Sequence, residues 1–244
     1  MARDRALEQA RHMAEAGAHL LDVGGESTRP GAAAVDVDEE LERVVPVIEM
    51  LATDLPLPIS VDTSKPEVMQ AAIAAGAGFI NDVRALRAPG ALEAAAQLRV
   101  PVCLMHMLGE PRTMQSDPRY DDVVTEVRDF LGERLQACVA AGISRDRVIL
   151  DPGFGFGKTT GHNLTLLRQL HELLGLGCPL LVGLSRKSLI GALTGAPVEQ
   201  RLAGSVALAV MAAWSGARMV RVHDVAETVQ ALRVHDALRY GVEH

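Results

Sequence analysis

At 244 residues, with 48% of them hydrophobic and only 3% aromatic, the chain is long enough to bury the core of one large α/β domain spanning 1–244. A net charge of −7 counts against nucleic acid or an anionic membrane as the main partner. Cys103, Cys138 and Cys178 are odd in number, far apart and without a C-x-x-C pair, so neither a disulfide framework nor a zinc site is expected. The sequence holds no apolar run of about 18 residues and no visible signal peptide, which leads us to expect a soluble, cytoplasmic protein.

The periodicity predicts a first helix over 3–16, with Leu7, Ala10 and Ala14 on one face and Gly17 as its stop. A strand over 19–25 follows, then a helix over 38–52 with Leu41, Val44, Val45, Ile48 and Leu51 at helical spacing. The alternation continues with a strand at 58–63 and a helix from Pro66, then a strand at 79–83 and a helix over 90–98. Next come a strand at 100–107 and a helix over 121–141, and a strand at 147–152 followed by a helix over 163–174. A strand at 179–185 precedes helical segments at 186–193 and 199–214, and a strand at 219–224 and a helix over 226–239 close the chain.

Seven strands alternating with helices imply a parallel sheet whose apolar strands are covered on both faces. A doubly wound open sheet is the alternative. We expect a (β/α)8 TIM barrel lacking its first strand, because the length is close to the typical ~250 residues and nearly every strand ends in a polar group. In a barrel these ends (Asp22, Asp62, Asn81, Asp82, His106, Asp151, Ser185, Arg186, Lys187, Arg221, His223 and Asp224) converge on one rim.

The central strand runs into VILDPGFGFGK, residues 148–158, where glycines at 153, 155 and 157 let backbone approach a ligand. Pro152 stands where a Walker A loop needs glycine, and G-x-G-x-G is not a dinucleotide fingerprint. Arg29, Lys158, Arg186, Lys187, Arg221 and His223 place a local positive field in an acidic protein, which suits a phosphate ester or pyrophosphate. Asp62 and Asp151 can each accept two parallel N–H bonds, as the edge of an amino-pyrimidine offers, and Asn81 adds a donor and an acceptor. Each of these residues taken singly has a structural reading as a helix cap or a partner of arginine. His106 is expected to be packed and hydrogen-bonded. His12, His19, His171, His235 and His244 are read as surface groups, Glu39 and Glu40 as a solvated face, and Phe154 and Phe156 as either anchors or site lining.

The blocks DVGGESTRPG (22–31), ISVDTSKPEV (59–68), INDV (80–83), CLMHM (103–107), PRTMQ (111–115), LDPGFGFGKT (150–159), VGLSRKSLIG (182–191) and RVHDV (221–225) resemble the dihydropteroate synthases of folate biosynthesis, the sulfonamide targets, in order and over the whole length. The resemblance implies a TIM barrel that joins p-aminobenzoate to 6-hydroxymethyl-7,8-dihydropterin diphosphate with loss of pyrophosphate, assisted by Mg2+. It implies that Asp62, Asn81, Asp151, Lys187 and Arg221 hold the pterin, and that Arg29, Arg221 and His223 hold the diphosphate. Thr28, Pro30, Phe156, Lys187 and Ser188 would line the aminobenzoate pocket, and Asp62, Lys187, Arg221 and His223 would carry the catalysis. The family's opening strand and its NVTPDSFSDGG-type loop find no counterpart here. No protein metal ligand is therefore assigned, and about 30 further residues are expected upstream. A homodimer is expected, because residues 202–214 are apolar nearly all round and the late helices form the family's dimer contact. Two rival readings are a pterin-binding methyltransferase domain, which would not consume p-aminobenzoate, and an inactive pterin-binding paralogue, which would bind without turnover.

Overall fold

The computed structural model describes residues 2–28, 31–110 and 113–241. Its strands are β1 (Leu21–Gly24), β2 (Ile59–Asp62), β3 (Phe79–Asp82), β4 (Val102–Met105), β5 (Val148–Asp151), β6 (Leu181–Val182) and β7 (Met219–Val220). The helices between and around them are α1 (Ala2–Glu15), α2 (Val37–Asp54), α3 (Pro66–Ala74), α4 (Ala91–Leu98), α5 (Val123–Ala140), α6 (Thr160–Arg168), α7 (Ser188–Thr194), α8 (Leu202–Trp214) and α9 (Val225–Tyr240).

Local chemistry sets where these helices begin. The Asp36 carboxylate accepts from Glu39 N at 2.8 Å and opens α2. Pro66 starts α3, where its missing N–H is no loss. Asp122 caps α5 by accepting from Val124 N at 3.0 Å. Thr159 and His162 form a reciprocal capping box on α6, which therefore starts ahead of the expected position 163. That helix also ends early, at Arg168, and a 3-10 turn over Leu170–Leu176 takes over. The turn's threefold spacing carries Leu170 and Leu173 into the core.

Every strand pairing is parallel. β1 to β5 form one sheet in chain order, β6 pairs with β7, and a bridge between Leu150 and Leu180 joins the two groups. The strand order is thus that of a barrel. Among the described residues β1 and β7 do not pair, so the wall has one open seam, as a barrel lacking its first strand would. Helices pack outside the wall over a large core that includes Val61, Ile80, Leu104, Leu150 and Val182, all nearly inaccessible to solvent.

Strand alternation does the rest, since every second residue faces the same way. Phe79, Cys103, Ile149 and Leu181 form a separate buried cluster with Leu20 and Met219 packed against it, the apolar floor of the barrel interior. Two residues further along each strand, on the same face, come Asn81, Met105, Asp151, Gly183, Asp22 and Arg221. Ser60 places Asp62 with them by the same step. Register sets Asp62 opposite Asn81 and Met105 opposite Asp151, and staggers the others, with Asp22 opposite Ser60 and Asn81 opposite Cys103. Along each strand, one two-residue step leads from a dry floor to the mouth.

Candidate active site

Arg221 lies at the centre of that mouth. Its Nε donates to Asp22 Oδ2 at 2.6 Å, and a second guanidinium nitrogen donates to Asp62 Oδ2 at 3.3 Å. Asn81 Nδ2 also donates to Asp22 Oδ2, at 3.1 Å, while Asp22 Oδ1 is buried with no partner. Burial raises the Asp62 carboxyl well above the usual carboxylate range, the neighbouring Asp22 charge adds to this, and Arg221 opposes it.

Asp151 stands on the next wall of the mouth, 7% exposed, and accepts from Gly153 N at 2.7 Å. Burial raises its pKa, against the pull of Lys187, the Gly153 N–H, Lys158 and Arg221. Lys187 donates to Phe154 O and sits with its Nζ 4.7 Å from the centroid of the Phe156 ring. Burial brings Lys187 down to about 8, with Asp151 opposing and Arg221 adding to the shift.

The turn that aims Lys187 is strained. Arg186 has φ +56°, a left-handed conformation that a non-glycine residue adopts at a cost of about 1–3 kcal/mol. Three contacts hold it there: Ser205 Oγ accepts from Arg186 N at 2.9 Å, Arg201 donates to Arg186 O at 3.0 Å, and Asp224 pairs with its guanidinium. Arg186 therefore braces the turn and is not free to hold an anion.

Asp62, Asn81, Asp151, Lys187, Phe156 and Arg221 lie together in the mouth. His223 sits at the exposed rim, its Nδ1 3.0 Å from Ser185 Oγ. Ser188 is the exposed first residue of α7 and Thr28 is half-buried in the loop after β1. Arg29 and Pro30 lie outside the described residues, as do Pro111 and Arg112.

Several expectations are corrected. Lys158 is not part of a rim field; it is 3% exposed and lies 2.8 Å from His106 Nδ1. His106 is packed and hydrogen-bonded, as its apolar strand suggested. Phe154 is core, while Phe156 is half-buried below Lys187. Glu40 is fully buried, because Lys65, which also pairs with Glu26, reaches it from the loop before α3. His235 is buried too, against the edge of Trp214 and hydrogen-bonded to Asp236, since α8 folds over its face of α9. Asp22 is the residue sequence reasoning underused: its place at a strand end was visible, but its partner lay 199 positions away.

A parallel α/β barrel with carboxylates, an amide and cations meeting at the C-terminal ends of its strands is the arrangement of a barrel enzyme acting on a small, charged, hydrogen-bonding molecule. The pterin binding enzyme family matches residues 2–223. The dihydropteroate synthase of Escherichia coli strain K12 is 55% identical over 232 residues, which are 95% of this chain and 82% of that protein. Yersinia pestis dihydropteroate synthase in a sulfonamide drug complex superposes with a TM-score of 0.95 at 55% identity, covering 97% of this chain and 86% of the other. The Xanthomonas albilineans enzyme in complex with 7,8-dihydropteroate gives 0.90 at 54% identity, covering 98% and 86%. The chain belongs to the pterin-binding enzyme family, among the dihydropteroate synthases.

Proposed function

We propose that this protein condenses 6-hydroxymethyl-7,8-dihydropterin diphosphate with p-aminobenzoate, giving 7,8-dihydropteroate and pyrophosphate. The observation that carries the reading is the ring of Asp22, Asp62, Asn81, Asp151 and Lys187 around Arg221, one strand step above an apolar floor.

In this reading Asp62 and Asp151 accept the N–H groups of the pterin's amino-pyrimidine edge, Asn81 hydrogen-bonds beside them, and Lys187 closes the stack above Phe156. Donation from the pterin favours the carboxylate form of Asp62 against the burial that opposes it. The diphosphate pulls Arg221 away from Asp22 and Asp62 and takes up its charge, joined at the rim by His223, with Arg29 as a further cation. As the C–O bond breaks, its electron pair leaves with the pyrophosphate, and Arg221 stabilises that developing charge. The carboxylates that Arg221 has left then face the cation spread over the pterin ring. The arylamine nitrogen attacks the exposed methylene carbon from the pocket of Thr28, Pro30, Phe156, Lys187 and Ser188, and loses a proton.

Mg2+ would accompany the diphosphate and help neutralise the charge on the leaving pyrophosphate. Among the described residues no three His, Cys, Asp or Glu side chains lie together as a metal-ligating group, and Asp22 and Asp62 are both engaged by Arg221. No step is routed through it.

We also read the chain as one pterin-binding domain, cytoplasmic and homodimeric. Cys103, Cys138 and Cys178 are buried free thiols, as suits a reducing compartment, and no described helix is long and apolar enough to cross a membrane. The test is pyrophosphate release measured with both substrates and with each alone. Release that requires p-aminobenzoate supports the synthase. Binding of the pterin diphosphate with no p-aminobenzoate consumed would overturn it in favour of another pterin-binding role.

A further inference from the structure

We propose that Lys158, acting with His106, is the positioning residue that shapes the 153–157 loop and thereby places Lys187 and Phe156 in the site. The proposal rests on the synthase reading for its kinetic consequences and on geometry for the rest.

The Lys158 ammonium has three protons, and three acceptors surround it. It donates to Gly153 O at 2.9 Å and Phe156 O at 3.2 Å, and it lies 2.8 Å from His106 Nδ1. That contact is a hydrogen bond to an unprotonated ring nitrogen, and burial, aided by the Lys158 charge, keeps the imidazole neutral. His106 is itself fixed, with its ring edge-on to Phe130 at 4.9 Å.

The loop needs this cation because of how tightly it is wound. Gly153 has φ +68° and Gly157 +64°, and a Cβ would fall 1.8 Å from His106 O at the first and 2.6 Å from Leu108 Cβ at the second. Backbone that turns this sharply against residues 106–108 aims its carbonyls inward. Without Lys158, Gly153 O would keep only the Phe156 N–H at 3.1 Å, and Phe156 O and a ring nitrogen would be buried without a donor. The next carbonyl along, Phe154 O, points the other way and receives Lys187. Two lysines thus grip one loop from opposite sides, one hidden and one in the site. Asn163 holds Gly155 N at 2.8 Å, and Gln115 and Tyr120 donate to Gly155 O and Gly157 O, but none of these touches the inward pair of carbonyls.

The same charge bears on titration. The ionisable groups facing Lys158 are Asp151 below it, Lys187 across the loop, His106 behind it and Tyr120, with Arg87 acting on His106. Burial brings Lys158 down to about 7, Lys187 adding to the shift and Asp151 opposing it, so Lys158 gives up its charge before Lys187, at about 8, and replacing it leaves the titration of Lys187 in place.

The experiment compares wild type with Lys158→Met, Lys158→Gln, His106→Leu and His106→Asn, in which Asn keeps an acceptor near the Nδ1 position. In the ligand-free protein, amide hydrogen exchange at residues 153–157 should rise about tenfold or more in Lys158→Met and His106→Leu. It should stay near wild type in His106→Asn. In turnover, kcat/KM should fall about tenfold or more in the same two variants and recover in His106→Asn, while the alkaline limb of the pH profile stays at its wild-type position in both Lys158 variants. Lys158→Gln restores a donor without charge, so it should protect the loop better than Met. Wild-type exchange at residues 153–157 in Lys158→Met and His106→Leu overturns the proposal. Should the Lys158 variants fail to fold, the contrast between His106→Leu and His106→Asn decides it. Exchange is read without substrate, so a wild-type protein that makes no dihydropteroate would overturn the synthase reading and leave the loop proposal to be judged on its own.

Discussion

Arg221, just after β7, and Asp22 on β1 stand 199 residues apart in the chain and meet at 2.6 Å across the seam where, among the described residues, β1 and β7 do not pair. Arg221→Ala leaves the part-buried Asp22 and Asp62 carboxyl groups facing each other without a cation and leaves the diphosphate without its main donor. We expect kcat/KM for the pterin diphosphate to fall about a hundredfold, the loss of a charged hydrogen bond worth about 3 kcal/mol. Arg221→Lys should recover only part of it, because one ammonium cannot reproduce the planar fork that spans Asp22 and Asp62. Full recovery by lysine in steady-state kinetics would contradict this geometry.

Lys187 must be charged to serve the pterin and the arylamine. Its pKa is brought down to about 8, so activity should decline as pH rises through that value. Lys187→Ala should cost about ten- to hundredfold in kcat/KM, from a lost charged hydrogen bond of about 1.5–3 kcal/mol. An unchanged kcat/KM in the alanine variant would remove Lys187 from the site.

Asp62 reverses the usual carboxylate dependence of stability on pH. Burial and Asp22 push it up to about 8 from an ordinary 3.8, so the folded protein keeps a proton that the unfolded chain has released. Its contribution is complete below the unfolded value and is lost as pH rises through the folded one. Urea unfolding of wild type should therefore lose ground to Asp62→Asn between about pH 5 and pH 8. Parallel stability curves for the two proteins would show that Asp62 ionises normally.

Lys65 ties the loop after β1 to α2 by pairing with Glu26 and with the fully buried Glu40. Lys65→Met leaves Glu40 buried without its cation, and a loss of about 3–5 kcal/mol is expected in denaturant unfolding. Removing both charges, in Lys65→Met with Glu40→Leu, should recover much of that loss. A double variant as unstable as the single would show that the pair matters for packing and not for charge.

The α8 and α9 surface carries Met211, Trp214, Val234, Leu238 and Tyr240, each more than half exposed in the single chain. Apolar exposure on that scale fits a partner face, and a second copy of the chain is the expected occupant. Light scattering at micromolar concentration should report a dimer, and Met211→Glu should shift it to monomer. A wild-type monomer would refute the assignment.

Much of this protein could be read along the chain because its rules are local. Helix faces, capping residues, the strand–helix alternation and the polar residue at each strand end follow from spacing, and they placed Asp62, Asn81, Asp151, Lys187 and Arg221 on one rim. The tertiary structure decided which of those charges were already engaged. Arg186 turned out to brace a strained turn through Asp224, and Lys158 went under the glycine loop to His106. Glu40 went into the core because Lys65 met it there, and Asp22 gained its role from Arg221. A side chain's partner across a barrel depends on register and closure, which bring residues 25 to 199 positions apart within hydrogen-bond reach, and no local pattern encodes that meeting.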